Sequence, residues 1–174
     1  ILDHGSVIAS STGGSGAGGP VEVTASDSVL IAGGSRIESN SFSTSSGGAG
    51  SVTVRGENLV ALSGTGSRLL TEARGSGDGG NILVAANQVQ ITDDAVISTT
   101  STGPGNAGNI EIDAGNLFTM TNSSVTTEAT QASGGSIKIT TNPGGTVQLT
   151  DSLISASVLN GIGGGGSLNI DPQF

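Results

Sequence analysis

Cysteine, tryptophan and tyrosine are absent from the 174 residues, and there are only three phenylalanines, one methionine and one histidine. Without cysteine there is no disulfide framework, and structural zinc loses its usual thiolate ligands. The lone His4 sits at the chain's start, so a Ser-His-Asp nucleophile has no base. An aromatic share of 2% provides no platforms for stacking single-stranded bases. Five basic residues against 14 acidic ones, for a net charge of −9, cannot form the basic footprint that nucleic acid requires. No apolar run is long enough for a transmembrane helix. A helical bundle is excluded too, because Gly and Ser stand where Leu, Lys and Glu would be needed.

What is present is glycine, 31 residues of it, with a hydrophobic share of 33% that is nearly all Val, Ile, Leu and Ala. Charged residues make up 11%, about half the usual share. Disordered chains combine low hydrophobicity with high charge, the reverse of this balance. β-Branched aliphatics among turn formers point to β-structure with a thin core.

The chain is built from a repeat. A Gly, a small or polar residue and two aliphatics around a spacer recur as GPVEV (19–23), GSVTV (50–54), GNILV (80–84), GNIEI (108–112), GSIKI (135–139) and GSLNI (166–170). The first aliphatics, Val21, Val52, Ile82, Ile110, Ile137 and Leu168, lie 31, 30, 28, 27 and 31 residues apart. Their partners two residues on are Val23, Val54, Val84, Ile112, Ile139 and Ile170. A second alternating pair follows in each unit: Val29/Ile31, Val60/Leu62, Val89/Ile91, Phe118/Met120 and Val147/Leu149. A third short segment reads SRIES (35–39), SRLLT (67–71), AVIST (95–99), SVTTE (124–128) and SLISA (152–156), and SVIAS (6–10) is an orphan copy of it. Gly-, Ser- and Thr-rich loops then lead to the next unit.

Alternation over short runs predicts strands. One such unit cannot bury its apolar side alone, but stacked units bury a continuous interior. The sequence therefore predicts an all-β parallel β-helix in a single domain over residues 1–174. It has about five full coils of 27–31 residues, three short strands to a coil, three separate sheets and a dry aliphatic core. At ~4.8 Å per coil the stack is roughly 25–30 Å long. The glycine before strand one (Gly19, Gly50, Gly80, Gly108, Gly135, Gly166) marks a corner where a Cβ would clash, with a positive φ expected. Asn81 and Asn109 follow it in adjacent coils and are expected to stack their amides.

The segments GGNILVAANQVQITDDAVISTTSTGPGNAGN and GNAGNIEIDAGNLFTMTNSSVTTEAT resemble the repeats of filamentous-haemagglutinin-like exoproteins. These are the secreted partners of two-partner secretion systems in Gram-negative bacteria. The resemblance covers essentially the whole chain. It implies a right-handed β-helix, secretion through an outer-membrane transporter, a place at the cell surface and adhesion to a host or neighbouring cell. It also implies an internal piece of a longer protein, with no cofactor and no enzymatic activity.

Some residues also suit other chemistries. Polysaccharide lyases and hydrolases also use β-helices and need clustered carboxylates, for which Asp93, Asp94 and Asp151 are the candidates. Asp94 and Asp151 stand two residues before the first aliphatic of strand three, where other units have Gly34, Gly66 and Ser123, so turn chemistry accounts for them better. Arg36 and Arg68 share a column and suggest a small anion or glycan site, or two solvent-facing arginines near Glu38 and Glu72. Glu111 and Lys138 are expected to pair across coils. GSGDGGN (75–81) resembles a calcium turn but occurs once, and the glycine loops lack the Lys-Ser/Thr of a phosphate loop. Ice binding needs an outward Thr column. The positions after strand three (Ser10, Ser39, Thr71, Thr99, Glu128, Ala156) and after strand one (Thr24, Arg55, Ala85, Asp113, Thr140) are both interrupted. Leu30, Ala61, Leu70 and Leu83 face outward, while Phe42, Val158, Leu159 and Ile162 in the loops are expected to tuck against the wall or to mark lateral contacts. Both ends cut through a repeat, so end-to-end association or fraying is expected.

Overall fold

The computed structural model describes residues 1–161 and 163–172. Among these there are 15 β-strands and no helix, and every strand pairing is parallel. The chain winds as a β-solenoid of about six turns. Strand three of successive coils forms one sheet in the order β1 (Val7–Thr12), β4 (Arg36–Ser41), β7 (Arg68–Ala73), β9 (Val96–Ser101), β11 (Ser124–Ala129) and β14 (Leu153–Val158). Strand one is β2 (Val21–Ala25), β5 (Val52–Gly56), the first half of β8 (Ile82–Thr92), the first half of β10 (Ile110–Thr121), β12 (Ser136–Thr140) and β15 (Ser167–Asp171). Strand two is β3 (Ser28–Ile31), β6 (Leu59–Ser63), the second halves of β8 and β10, and β13 (Thr146–Thr150).

The expected three sheets are therefore two. In the middle coils strands one and two run on without a break as β8 and β10, joining their ladders into a nine-stranded sheet. The outer coils break this run at Ser26–Asp27, at Glu57–Asn58 and at the longer turn 141–145. Where β10 passes β8 the register shifts between Ala114 and Leu117, so β10 holds one extra residue at this bend. Gly115 lies there because a Cβ would press on the Asn87 backbone at 3.2 Å.

The interior follows the alternation. Val21, Val52, Ile82, Ile110 and Ile137 form one buried column. Val54, Val84, Ile112 and Ile139 form the next, with Val23 partly buried at its end. Val29, Val60, Val89 and Phe118 stack along strand two beside Ile31, Leu62, Ile91 and Met120. Phe118 fits the narrow bore because valines (Val89 and Val147) lie on either side of it. Each such aliphatic contributes about 1.5–3 kcal/mol by leaving water.

The core is not purely aliphatic. Strand three also turns Ser39, Thr71, Thr99 and Thr127 inward, all fully buried. Thr71 Oγ1 donates to the Gly80 carbonyl at 2.6 Å, Thr99 Oγ1 to Gly108 at 2.8 Å, and Thr127 Oγ1 to Gly135 at 3.3 Å. Ser39 Oγ donates to the Gly19 carbonyl at 3.2 Å and accepts from the Gly50 N–H at 2.9 Å. A buried hydroxyl ladder thus holds the corner glycines, whose carbonyls would otherwise need partners. This column is the one expected outside, after strand three. Two-residue alternation from Ile37, Leu69 and Ile97 points it inward, and its next member is Thr127, not Glu128.

The corner glycines are needed for space and not for a positive φ. None of Gly19, Gly50, Gly80, Gly108, Gly135 and Gly166 lies among the positive-φ residues. A Cβ on any of the last five would run into the carbonyl of the corner glycine in the neighbouring coil. The coils simply come too close there for a side chain. The Gly-rich loops behave similarly and form a stacked edge. Gly18 N–H donates to the Gly48 carbonyl at 2.9 Å, Ala49 N–H to Asp78 at 3.0 Å and Gly79 N–H to Asn106 at 2.8 Å.

Candidate functional site

The left-handed backbone sits at the corner between strands two and three. Gly5, Gly34, Gly66, Asp94, Asn122 and Asp151 each lie two residues before strand three, with φ of 72°, 77°, 84°, 64°, 54° and 47°. Asn122, not Ser123, is thus the partner of Asp94. Only Gly, Asn and Asp enter this region readily, which accounts for the residue types in this column. Asp94, Asn122 and Asp151 line a shallow groove of about 540 Å³ with Val96, Ser124 and Leu153 on one wall. Asp94 Oδ2 accepts from Thr65 Oγ1 at 3.2 Å, and Asp93 Oδ2 from Thr92 Oγ1 at 2.9 Å. Of the candidate carboxylates Asp93, Asp94 and Asp151, the first two are chain neighbours and Asp151 is held apart from them by the Asn122 coil.

A second groove, of about 490 Å³, follows the bend between strands one and two. It brings together Arg55, Glu57, Asn87, Asp113 and Asn142. No three of His, Cys, Asp or Glu come together to hold a metal ion among the described residues. Asp78, from the calcium-like turn, has a different job. Its Oδ1 accepts from the Asn106 N–H at 2.7 Å, and Asn106 Oδ1 in turn accepts from the Ser133 N–H at 3.1 Å. Asn81 and Asn109 do the same one column over, accepting from the Asn109 and Ser136 N–H groups at 2.8 Å. The side-chain oxygens thus cap coil backbones instead of stacking amide on amide.

The two arginines in one column differ. Arg36 Nε lies 3.1 Å from Glu38 Oε2, near enough for an ion pair but not aligned for a hydrogen bond. Arg68 is exposed. Arg74 donates to Glu72 at 2.8 Å, and this hydrogen bond raises its pKa. Lys138 Nζ lies 3.1 Å from Glu111 Oε1, an exposed pair worth about 0–1 kcal/mol.

The register also explains how a charge of −9 is carried. Glu22 lies beside Thr53, Glu38 beside Leu70, Glu72 and Glu128 on either side of Thr100, Glu111 between Leu83 and Lys138, and Asp113 between Ala85 and Thr140. Among these paired positions no carboxylate stacks on another. Two like charges one coil apart would repel by about 1 kcal/mol even in water.

Of the outward apolar residues, Leu30, Ala61, Leu70 and Leu83 are half-buried by their neighbours. Phe42 and Leu159 do not tuck against the wall: they are exposed, Phe42 lying over Gly13. Val158 continues the inward column of Ala129, and Ile162 lies outside the described residues. Among the described residues no helix is long and apolar enough to cross a membrane. No protein-family model, curated protein or solved structure matches the chain.

Proposed function

We propose that this solenoid is a stiff spacer in a secreted bacterial surface protein of the haemagglutinin-like exoprotein kind. It would be delivered through an outer-membrane transporter and would extend a binding region toward a host or neighbouring cell. The observation that carries this reading is the set of parallel ladders that bonds successive coils, with the register shifting only at the bend of β10 among the described pairings. Each coil is bonded to the next by backbone ladders, and the caps from Asp78 and Asn81 to Ser133 and Ser136 add side-chain bonds across the middle coils, so bending the rod there requires breaking several bonds at once. The function is reach and presentation, and the glycine-packed edge and the acidic strand faces leave a modest surface for contact with glycan or protein.

An antiserum against the chain tests the reading in the bacterium that makes it. Labelling of intact cells or culture medium, lost when the outer-membrane transporter is deleted, is the expected result. Signal confined to the cytosol would overturn it. So would turnover of an acidic or neutral glycan that vanishes in Asp94→Asn or Asp151→Asn.

A further inference from the structure

The strand faces of this solenoid keep like charges apart, with one exception. Among the described residues, Arg36 of β4 and Arg68 of β7 are the only two like charges that the strand register sets side by side in adjacent coils. No two strand carboxylates meet in this way, although acids outnumber bases 14 to 5. The pair does not lie at an end of the stack. Arg36 has Val7 on its other side and Arg68 has Val96, so each arginine is flanked by a coil above and below.

The fold does not use either guanidinium fully. Arg68 is exposed and takes part in no ion pair among the described residues. Arg36 has Glu38 beside its Nε but no hydrogen bond there, and its side chain is 37% exposed. Arg74, just beyond β7, is by contrast tied to Glu72. Two uncharged, half-buried residues border Arg68: Leu70 two positions along the strand and Val96 one coil on. Neither competes for the guanidinium.

We propose that Arg36 and Arg68 together bind a carboxylate of an acidic polysaccharide. A guanidinium is planar, always charged, and presents paired N–H groups that match a carboxylate. Two such forks one coil apart, ~4.8 Å, can hold one carboxylate between them, and the bound anion relieves their mutual repulsion. The coil step is also close to the length of one sugar in an extended polysaccharide. A chain running along the axis therefore lays its next sugar over Val96, with Leu70 beside it. A free small anion gains the charge contact without this apolar one, and an acidic peptide must first order its flexible side chains. The net charge of −9 opposes any polyanion at long range, so binding comes from the short charge-assisted bonds at this pair. The site stands on the arginines; an acidic glycan met outside the cell rests on the surface-protein reading above.

Calorimetric titration of the purified chain with tetragalacturonate, at low salt and with EDTA present, tests the proposal. The sugar should bind, and Arg36→Gln or Arg68→Gln should each weaken binding by about tenfold or more. Arg68→Lys keeps the charge but loses the fork, and should restore only part of the affinity. Arg55→Gln removes the same charge from strand one and should change the affinity by less than about twofold. Every substitution is at an outward position, and an unchanged melting midpoint shows that the fold is kept. A chain that does not bind tetragalacturonate overturns the proposal. So does equal weakening by Arg55→Gln, which would mean a general charge effect. Inorganic sulfate, inorganic phosphate or hexaglutamate binding at the same arginines as tightly as the sugar overturns the glycan assignment. The titration uses the purified chain, so its failure leaves the surface labelling untouched, and a failure of the labelling leaves the titration untouched.

Discussion

One inward column, read along the axis, compares the middle of the molecule with its ends. Ile37, Leu69, Ile97 and Val125 are at most 1% exposed, while Ile8 in the same column is 37% exposed. Along strand one, Ile110 is 1% exposed and Leu168 is 51%. Residue type and register are alike in both places. What differs is whether a coil lies on each side. In this solenoid, burial belongs to the stack and not to the single coil.

The sharpest way to break that comparison is one substitution at two heights. Ile112→Ala should cost about 2–5 kcal/mol in chemical denaturation, whereas Ile170→Ala, at a position already open to water, should cost under about 1 kcal/mol. Equal losses would mean that the ends are covered. A glycine pair comes next. Gly108→Ala pushes a Cβ into the Gly80 carbonyl and should cost about 1–3 kcal/mol. Gly164→Ala meets nothing within 4 Å, and its stability should change by less than about 1 kcal/mol in the same denaturation experiment.

The hydroxyl ladder gives a third contrast, between inside and outside. Thr99→Val leaves the buried Gly108 carbonyl without its 2.8 Å donor and should cost about 1–3 kcal/mol. Thr126→Val on the outer face loses only a hydroxyl pair with Ser98 and should shift the melting midpoint much less. The smallest effect concerns charge. Thr100→Glu sets a third carboxylate between Glu72 and Glu128 and should destabilise by about 1–2 kcal/mol, with most of the loss recovered at high salt. Ser11→Glu at the end, beside Asn40, should show neither the loss nor the salt recovery in the same titration.

Much of this arrangement could be read along the chain. The spacing of Val21, Val52, Ile82, Ile110, Ile137 and Leu168 matches the coil-to-coil register, because a side-chain period of two leaves little freedom once one face is buried. The Asp and Gly at the Asp94 position were legible as turn residues, because left-handed backbone admits so few types. The hydroxyl column was misplaced because Ser and Thr look like surface residues until a partner is known, and the Gly80 and Gly108 carbonyls that accept from them are nine residues further on. The Asp78 cap was missed for the same reason, since its partner, the Asn106 N–H, is 28 residues away.

By itself the sequence determined the repeat, the three strands per coil, the inward aliphatics and the glycine corners, all of them local patterns enforced by alternation and steric size. Only the tertiary structure decided which polar residues turn inward, that strands one and two fuse in the middle coils, that the corner glycines answer a close approach and not a positive φ, and that the strand carboxylates stack on residues that are not acidic. The inward hydroxyls depend on a corner glycine nine residues on, and the rest on what lies one coil away, a neighbour about thirty residues distant along the chain and about 4.8 Å away in space.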